Sequence, residues 1–106
     1  MSTFHLIIYV PLSHTQKIRD VLAHSGAGHL GNYDSCSFSS RGIGRFRPLK
    51  GANPHIGTEG KIEEVEEERI EVLVTETVDL QTLLKDLRGA HPYEEPAIHV
   101  LPMVEG

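Results

Sequence analysis

The chain has 106 residues, close to the commonest size of one domain, so we expect a single domain over residues 1–106. Fifteen acidic residues exceed ten basic ones, and the resulting charge of −5 argues against the broad basic face of a nucleic-acid-binding protein. A single cysteine excludes an internal disulfide, no apolar run approaches the ~20 residues of a membrane span, and residues 1–10 lack the features of a signal peptide. These properties predict a cytoplasmic protein with neither a nucleic-acid nor a membrane partner.

The first half of the chain is predicted to form a strand, a helix and a second strand. Apolar residues alternate through residues 4–10, which is typical of a well-buried strand. Ser13 and Gln16 have the spacing of a capping box, and the apolar stripe that follows predicts a helix ending at Gly26. Residues 33–40 are polar but strand-like, and we predict the second strand there.

The second half is predicted to form a loop, a long strand, a helix and a last strand. Residues 41–60 contain five glycines and two prolines without a helical period, so we predict mostly loop. A long strand is predicted over residues 61–75, where apolar residues alternate towards the end. Asp79 can cap a helix whose leucine stripe ends at Gly89, and residues 97–101 form the last predicted strand.

The predicted order is therefore strand, helix, strand, strand, helix, strand. This βαββαβ order is that of the α+β ferredoxin-like split β-α-β sandwich, in which two helices cover one face of a four-stranded antiparallel sheet. No internal repeat or linker interrupts the order, which supports one domain of this class.

Long motifs give the chain a resemblance to a known family. Residues 28–74 contain GNYDSCSFSSRGIGRFRPL, KGANPHIGTEGK and IEEVEEERIEVLV, and residues 91–102 read HPYEEPAIHVLP. These motifs resemble the inserted domain of NGG-interacting-factor-three-like (Nif-three-like) proteins, which belongs to the PII-like, CutA-like group of trimeric ferredoxin-like domains. CutA itself shares the shorter phrases GKIEE and HPYE-P.

The resemblance implies a PII-like/CutA-like fold, a homotrimer and a regulatory or binding role. In the larger family members this domain interrupts another one, which carries a two-metal site on histidines and carboxylates. That second domain is absent from residues 1–106, so the resemblance to the insert implies a stand-alone module without the metal-dependent hydrolase activity. Since no nucleophile or dinucleotide motif is present either, we do not expect an enzyme.

The basic residues of the predicted loop are the first candidate for ligand binding. Residues 41–58 contain no acid, whereas residues 59–74 contain seven glutamates. Glycines let backbone amides approach an anion, and arginine and lysine pair with phosphate or carboxylate groups. The resemblance to PII-like proteins also makes this connection a ligand- and partner-facing loop. Alternatively, the cations pair with the acids of residues 63–68 in the same or a neighbouring subunit. The candidates are Arg41, Gly42, Gly44, Arg45, Arg47 and Lys50.

The run HPYEEP supplies the second candidate site. His91, Tyr93, Glu94 and Glu95 could bind a ligand or a metal, or exchange protons, at a cleft between subunits. In the structural alternative, His91 completes a helix C-terminus and Tyr93 packs at the trimer interface, while one glutamate pairs with a loop arginine.

A divalent metal, zinc or copper, is a further hypothesis. The candidate ligands are His29, Cys36, His55, His91 and Glu95, whose thiol and imidazole groups suit these ions. They have no recognised ligand spacing, so a site would have to assemble across the fold or across a symmetry axis.

Three functional hypotheses follow from these residues. The first is a non-catalytic PII-like module that senses a small anionic ligand, or docks a protein partner, through residues 41–60 as a homotrimer. The second is a CutA-like metal-binding or metal-tolerance protein. The third is a detached regulatory partner of a two-metal Nif-three-like enzyme domain.

Overall fold

The computed structural model describes residues 3–104, which form a four-stranded sheet and two helices. All strand pairs are antiparallel, and the strands lie in the order β2-β3-β1-β4. Within the described residues no helix is both long and apolar enough to cross a membrane. The elements are β1 (Phe4–Pro11), a 3₁₀ turn (Leu12–His14), α1 (Thr15–Ser25), β2 (Phe38–Phe46), β3 (Glu63–Val74), α2 (Leu80–Ala90) and β4 (Ile98–Pro102).

One face of the sheet carries both helices and the hydrophobic core. Alternate residues of the two central strands, among them Leu6 and Ile70, are fully buried against this side. Ile18 of α1 and Leu83 of α2 belong to the same buried cluster, so both helices pack on one face. This architecture confirms the predicted α+β ferredoxin-like βαββαβ class.

The second strand differs from its predicted position. β2 is Phe38–Phe46, so the prediction of loop over residues 41–46 is wrong, as is the prediction of strand over residues 33–37. Pairing with β3 overrides the glycine content because it sets arginines of β2 opposite glutamates of β3. The preceding segment leaves extended geometry at Ser35, whose φ is +58°.

Helix termini agree with the sequence prediction in part. Gly26 ends α1 in the left-handed conformation, and the carboxylate of Asp79 accepts a hydrogen bond from the Thr82 N–H at 3.2 Å, as predicted. The predicted capping box is wrong, because Ser13 lies in the 3₁₀ turn and its hydroxyl contacts the ring of His14, the residue that actually precedes α1. α2 extends to Ala90, one residue beyond the predicted end.

β3 is a central strand, although half of it consists of glutamates. Its first residues pair only with β2, so the β2–β3 ribbon projects beyond the end of β1. Glu68 is buried and its carboxylate pairs with Arg19 of α1. Glu67 and Glu68 are therefore buried, unlike the exposed Glu64 and Glu66, where the ribbon meets the body of the fold.

Candidate functional site

The connection between β2 and β3 folds back on itself beside the HPYEEP segment. The Gly60 N–H donates to the Pro48 carbonyl at 2.8 Å, which closes the base of this loop. Gly57 has a φ of +104°, a conformation that favours glycine, and a Cβ there would lie 2.7 Å from the Glu63 side chain. Residues 47–62 thus form a folded wall, and we call them the pocket loop.

A pocket of about 460 Å³ lies between the pocket loop and the HPYEEP segment. Its lining is mainly apolar and aromatic, with a few charged groups, which is the usual composition of small-molecule sites. The lining comprises residues 44–49, 52 and 54–56 of β2 and the pocket loop, Tyr9 and Glu67 of the sheet, and residues 93–95 and 97. Both segments that the sequence singled out therefore border one cavity.

Aromatic rings surround Tyr93 at this pocket. Its ring centroid lies 5.8 Å from that of Phe46, 6.4 Å from that of His55 and 4.9 Å from that of His91. His55 also meets His14 at 6.1 Å. These edge and tilted contacts join the end of β2, the pocket loop and the segment after α2.

His91 is held by hydrogen bonds at both ring nitrogens. Nε2 lies 2.6 Å from the carbonyl oxygen of Tyr9, and Nδ1 accepts from the Tyr93 N–H at 3.1 Å. This arrangement requires a neutral ring protonated at Nε2. Burial is the main reason that the pKa of His91 is lowered, and the nearby His14 and His55 lower it further, against the opposing effect of the Tyr9 hydrogen bond.

The environment of His91 gives it a positioning role in the single chain. Its backbone N–H donates to the Leu87 carbonyl at 2.9 Å, so it ends α2 as the structural alternative anticipated. Because both nitrogens are engaged, the ring would have to break a hydrogen bond to ligate a metal or transfer a proton. Its role as a ligand-binding or metal-binding residue stays a prediction.

Tyr93 and Glu67 place unpaired polar atoms at the pocket. The hydroxyl oxygen of Tyr93 is buried and has no hydrogen-bond partner among residues 3–104. Burial chiefly raises the pKa of this phenol, and the adjacent Glu67 carboxylate raises it further, although the two groups do not meet in hydrogen-bond geometry. Glu67 is only 9% exposed.

Glu67 was missed by the sequence reasoning. The sequence shows it only as one charge of an acidic run, yet alternation along β3 places it on the face opposite the helices. Gly44 of β2 makes room for it, because a Cβ at Gly44 would lie less than 3.0 Å from the Glu67 carboxylate. The two glycines of β2, next to a long glutamate run, were the available signal.

Glu94 and Glu95 both line the pocket, but only Glu94 has a partner in the pocket loop. Its carboxylate accepts a hydrogen bond from the Asn53 N–H at 3.0 Å. The structural alternative anticipated a loop arginine in this role, and the structure has a backbone amide instead. The contact ties the pocket loop to the segment that leads into β4.

The basic candidates do not converge on one point. Arg45 pairs with Glu64 at 2.8 Å, as the alternative of paired charges proposed, and Arg47 lines the pocket. Arg41 lies on the helix-side face of β2, opposite Glu68 in register, and Lys50 is exposed outside the pocket lining. Gly42 has open space around it, whereas Gly44 borders the pocket. Of the four cations, only Arg45 and Arg47 are at the cavity.

The predicted metal ligands separate into two groups. His55 and Glu95 line the pocket, with His91 close by, whereas exposed His29 and Cys36 lie in the connection after α1. Among residues 3–104, no three histidine, cysteine or acidic side chains are arranged to hold a metal ion. A site built from these five residues would need groups from another subunit, and it stays a prediction.

Comparison with known proteins identifies the relatives of this chain. No protein-family model matches it. A protein named GTP cyclohydrolase 1 type 2 homolog from Halalkalibacterium halodurans is 44% identical over 102 residues, covering 96% of this chain and 27% of the relative. A protein of the same name from Bacillus subtilis is 42% identical over 98 residues, covering 92% of this chain and 26% of the relative. The chain thus spans about a quarter of the length of these relatives.

Solved structures give the same assignment. A Bacillus cereus protein related to NIF3 superposes with a TM-score of 0.83 at 38% identity, over 98% of this chain and 26% of that one. The periplasmic divalent cation tolerance protein CutA from Archaeoglobus fulgidus has a TM-score of 0.70 over 98% of this chain and 86% of its own, and at 20% identity it shows the fold alone. The chain therefore carries the PII-like, CutA-like domain of the NIF3-like proteins.

Proposed function

We propose that this domain is a non-catalytic binding module whose ligand site is the pocket between the pocket loop and the HPYEEP segment. The observation that carries the proposal is the convergence of these two separately predicted segments on one cavity of about 460 Å³. That volume is within the range of small-molecule sites. A ligand that bridges both walls would order the pocket loop, and loop order is a signal that a partner can read.

The ligand is proposed to carry an anionic group at the Arg47 side of the pocket. Arg45 is partly neutralised by Glu64, so Arg47 is the free cation among the two that line the cavity within residues 3–104. Arginine binds phosphate and carboxylate groups in two-pronged geometry. This proposal replaces the four predicted cations by one main contact.

Native mass spectrometry tests the proposal. The 106-residue chain is incubated with the small-molecule fraction of a cell extract, and intact masses are compared for the wild type, Arg47→Ala and Lys50→Ala. Lys50 is a matched control because it lies in the same loop but outside the pocket lining. We expect a metabolite-sized adduct on the wild type and on Lys50→Ala, and its loss from Arg47→Ala. An adduct that survives in Arg47→Ala, or no adduct on any form, would contradict the proposal.

We also propose that the domain forms a homotrimer, as the family resemblance implies. The sheet face opposite the helices leaves large apolar side chains open, with Phe38 66% exposed and Leu101 49% exposed. Light scattering should give three times the chain mass. Phe38→Ser should dissociate the assembly, whereas Ile62→Ser, at a residue that is 70% exposed outside the sheet, should not. A monomeric wild type would refute the trimer.

Metal binding is a second candidate because CutA of Archaeoglobus fulgidus, which shares the fold, is named a divalent cation tolerance protein. With no three-residue donor group among residues 3–104, such a site would lie between subunits. Equilibrium dialysis against zinc and copper should then show saturable binding that His55→Ala weakens, and no retention below millimolar metal would exclude it.

A third candidate is a regulatory domain for a two-metal enzyme domain of the Nif-three-like kind. The relatives named GTP cyclohydrolase 1 type 2 homolog contain this domain as about a quarter of their length, so the remaining sequence is a natural partner. Mixing this chain with the remainder of such a relative should give one complex in size-exclusion chromatography. Separate elution would count against this candidate.

A further inference from the structure

The inner wall of the pocket holds two polar groups that the chain does not pair. Glu67 takes part in none of the hydrogen bonds or ion pairs formed within residues 3–104, although only 9% of its surface is exposed. The Tyr93 hydroxyl beside it is also buried without a partner. Buried polar groups are nearly always hydrogen-bonded, so the Tyr93 hydroxyl is an exception, whereas the Glu67 oxygens are reachable from the cavity that this residue lines. The phenol can donate to one oxygen of this adjacent carboxylate, and the remaining lone pairs of Glu67 are open to a partner from outside the chain.

The absence of a side chain at Gly44 leaves room for this carboxylate beside the cavity. The carboxylate rests against Gly44, where even a methyl group would come within 3.0 Å of it. The ion pairs within residues 3–104 do not include Glu67, because Arg45 pairs with Glu64 and Arg69 with Glu71. Glu67 thus presents acceptor oxygens to the cavity that it lines.

The chemistry of these walls defines the ligand. A carboxylate accepts two parallel N–H groups from an amidine or guanidine edge in bidentate geometry. The rings of Phe46 and Tyr93, 5.8 Å apart, offer surfaces for a flat aromatic body, and aromatic faces also attract a delocalised cation. The Glu67 carboxylate would repel a ligand group that is anionic or that carries only hydrogen-bond acceptors.

We infer that the inner half of the pocket binds a planar ring with an amidine-type edge, whose two adjacent N–H groups are accepted by the Glu67 carboxylate while the ring packs beside Tyr93 and Phe46. This inference rests on the proposed function, and it adds the identity of the buried end of the ligand. The anionic group proposed above lies at the other end, towards Arg47.

Three matched fragments test the inference on the wild-type chain. Benzamidine has the ring and the donor edge, benzamide has one neutral amide, and benzoate has an anion on the same ring. Binding is measured by ¹H–¹⁵N NMR titration, with the amides of Gly44 and Tyr93 as reporters of the inner wall. We expect benzamidine to bind about tenfold or more tightly than benzamide, since charge-assisted bidentate bonds are the stronger ones. Benzoate should not shift these amides.

A pair of variants assigns the contact to Glu67. Glu67→Gln should weaken benzamidine binding about tenfold or more. Glu66→Gln is the matched control, because Glu66 is the exposed neighbour on the other face of β3 and loses the same charge. It should bind benzamidine as the wild type does. Circular dichroism confirms that both variants are folded, and the fragment series on the wild type decides the matter even if one is not.

The outcomes separate this inference from the proposed function. Benzoate binding at Gly44 as tightly as benzamidine, or equal benzamidine affinity in both glutamine variants, would overturn the inference. Methylguanidinium, which has the donor edge without a ring, should bind about tenfold more weakly than benzamidine, and equal affinity would refute the role of the rings. Equal benzamidine affinity in both glutamine variants, together with benzoate binding that depends on Arg47, would leave the proposed function intact and this inference wrong.

Discussion

Gly28→Ala offers a sharp test of the turn that connects α1 to the sheet. Gly28 has a φ of +78°, its N–H donates to the Leu73 carbonyl at 2.8 Å, and its carbonyl accepts from the Cys36 N–H at 3.0 Å. A Cβ at this position would lie less than 3.0 Å from the Cys36 backbone, which cannot rotate away as a side chain can. Gly31, in the same connection, has a φ of +59° but open space around it.

The two glycines separate backbone strain from steric collision. Alanine in the left-handed region costs about 1–2 kcal/mol at either position. A collision with fixed backbone adds about 1–3 kcal/mol, as overpacking does in cores. We therefore expect Gly28→Ala to lower the free energy of unfolding by about 2–5 kcal/mol and Gly31→Ala by about 1–2 kcal/mol.

Urea unfolding followed by far-UV circular dichroism measures both effects. If the slope of free energy against urea is unchanged, the shift of the midpoint reports native-state stability. The difference between the two variants is the quantity of interest, and it corresponds to a melting-temperature gap of about 4–8 °C for each kcal/mol. Equal destabilisation by the two substitutions would refute the close approach of Gly28 to Cys36.

Two further predictions concern charge. Arg19→Met leaves the carboxylate of Glu68, which is 7% exposed, without its partner, so the free energy of unfolding should fall by about 1–3 kcal/mol and recover in part with Glu68→Gln added. Arg45→Met is the exposed counterpart, because the side chains of Arg45 and its partner Glu64 are 62% and 60% exposed, and it should change the free energy of unfolding by about 1 kcal/mol or less. An equal loss of stability in Arg19→Met and Arg45→Met would show that burial of Glu68 has no effect. Because the folded-state pKa of His91 is lowered, its contribution to stability is complete above its ordinary pKa of 6.5 and falls as pH drops from there towards the lowered value. Unfolding measured from pH 7.5 to 5 should therefore be less pH-dependent in His91→Gln than in the wild type, and parallel curves would contradict this environment.

Local rules predicted the elements that depend on local chemistry. The alternation that buries Leu6 and Ile70, and the Asp79 cap of α2, follow from residues close in sequence. The position of β2 does not, because Gly42 and Gly44 favour a loop until the facing strand is known. Tertiary pairing then outweighs intrinsic propensity.

The candidate site was predicted in pieces but not as a whole. The sequence singled out Tyr93 and the basic segment that includes Arg47, and both border the pocket. The sequence could not show that Glu67 lies under the same cavity, because only the sheet register tells which of the adjacent Glu66 and Glu67 is exposed and which is buried. Spatial convergence of segments distant in sequence is a property of the fold rather than of any motif.

The hydrogen bond from the Asn53 N–H to Glu94 has a kinetic consequence. Within residues 3–104 it is the one hydrogen bond that joins the pocket loop to residues 91–97, and both partners are exposed. A single bond of this kind contributes on the order of 1 kcal/mol, so the latch should be broken for a fraction of the time on the order of one part in ten, and the loop opens only when the contact of His55 with Tyr93 separates as well. Ligand uptake would then be gated by loop opening, and slow hydrogen exchange at the Asn53 amide would report how firmly an occupied pocket stays shut.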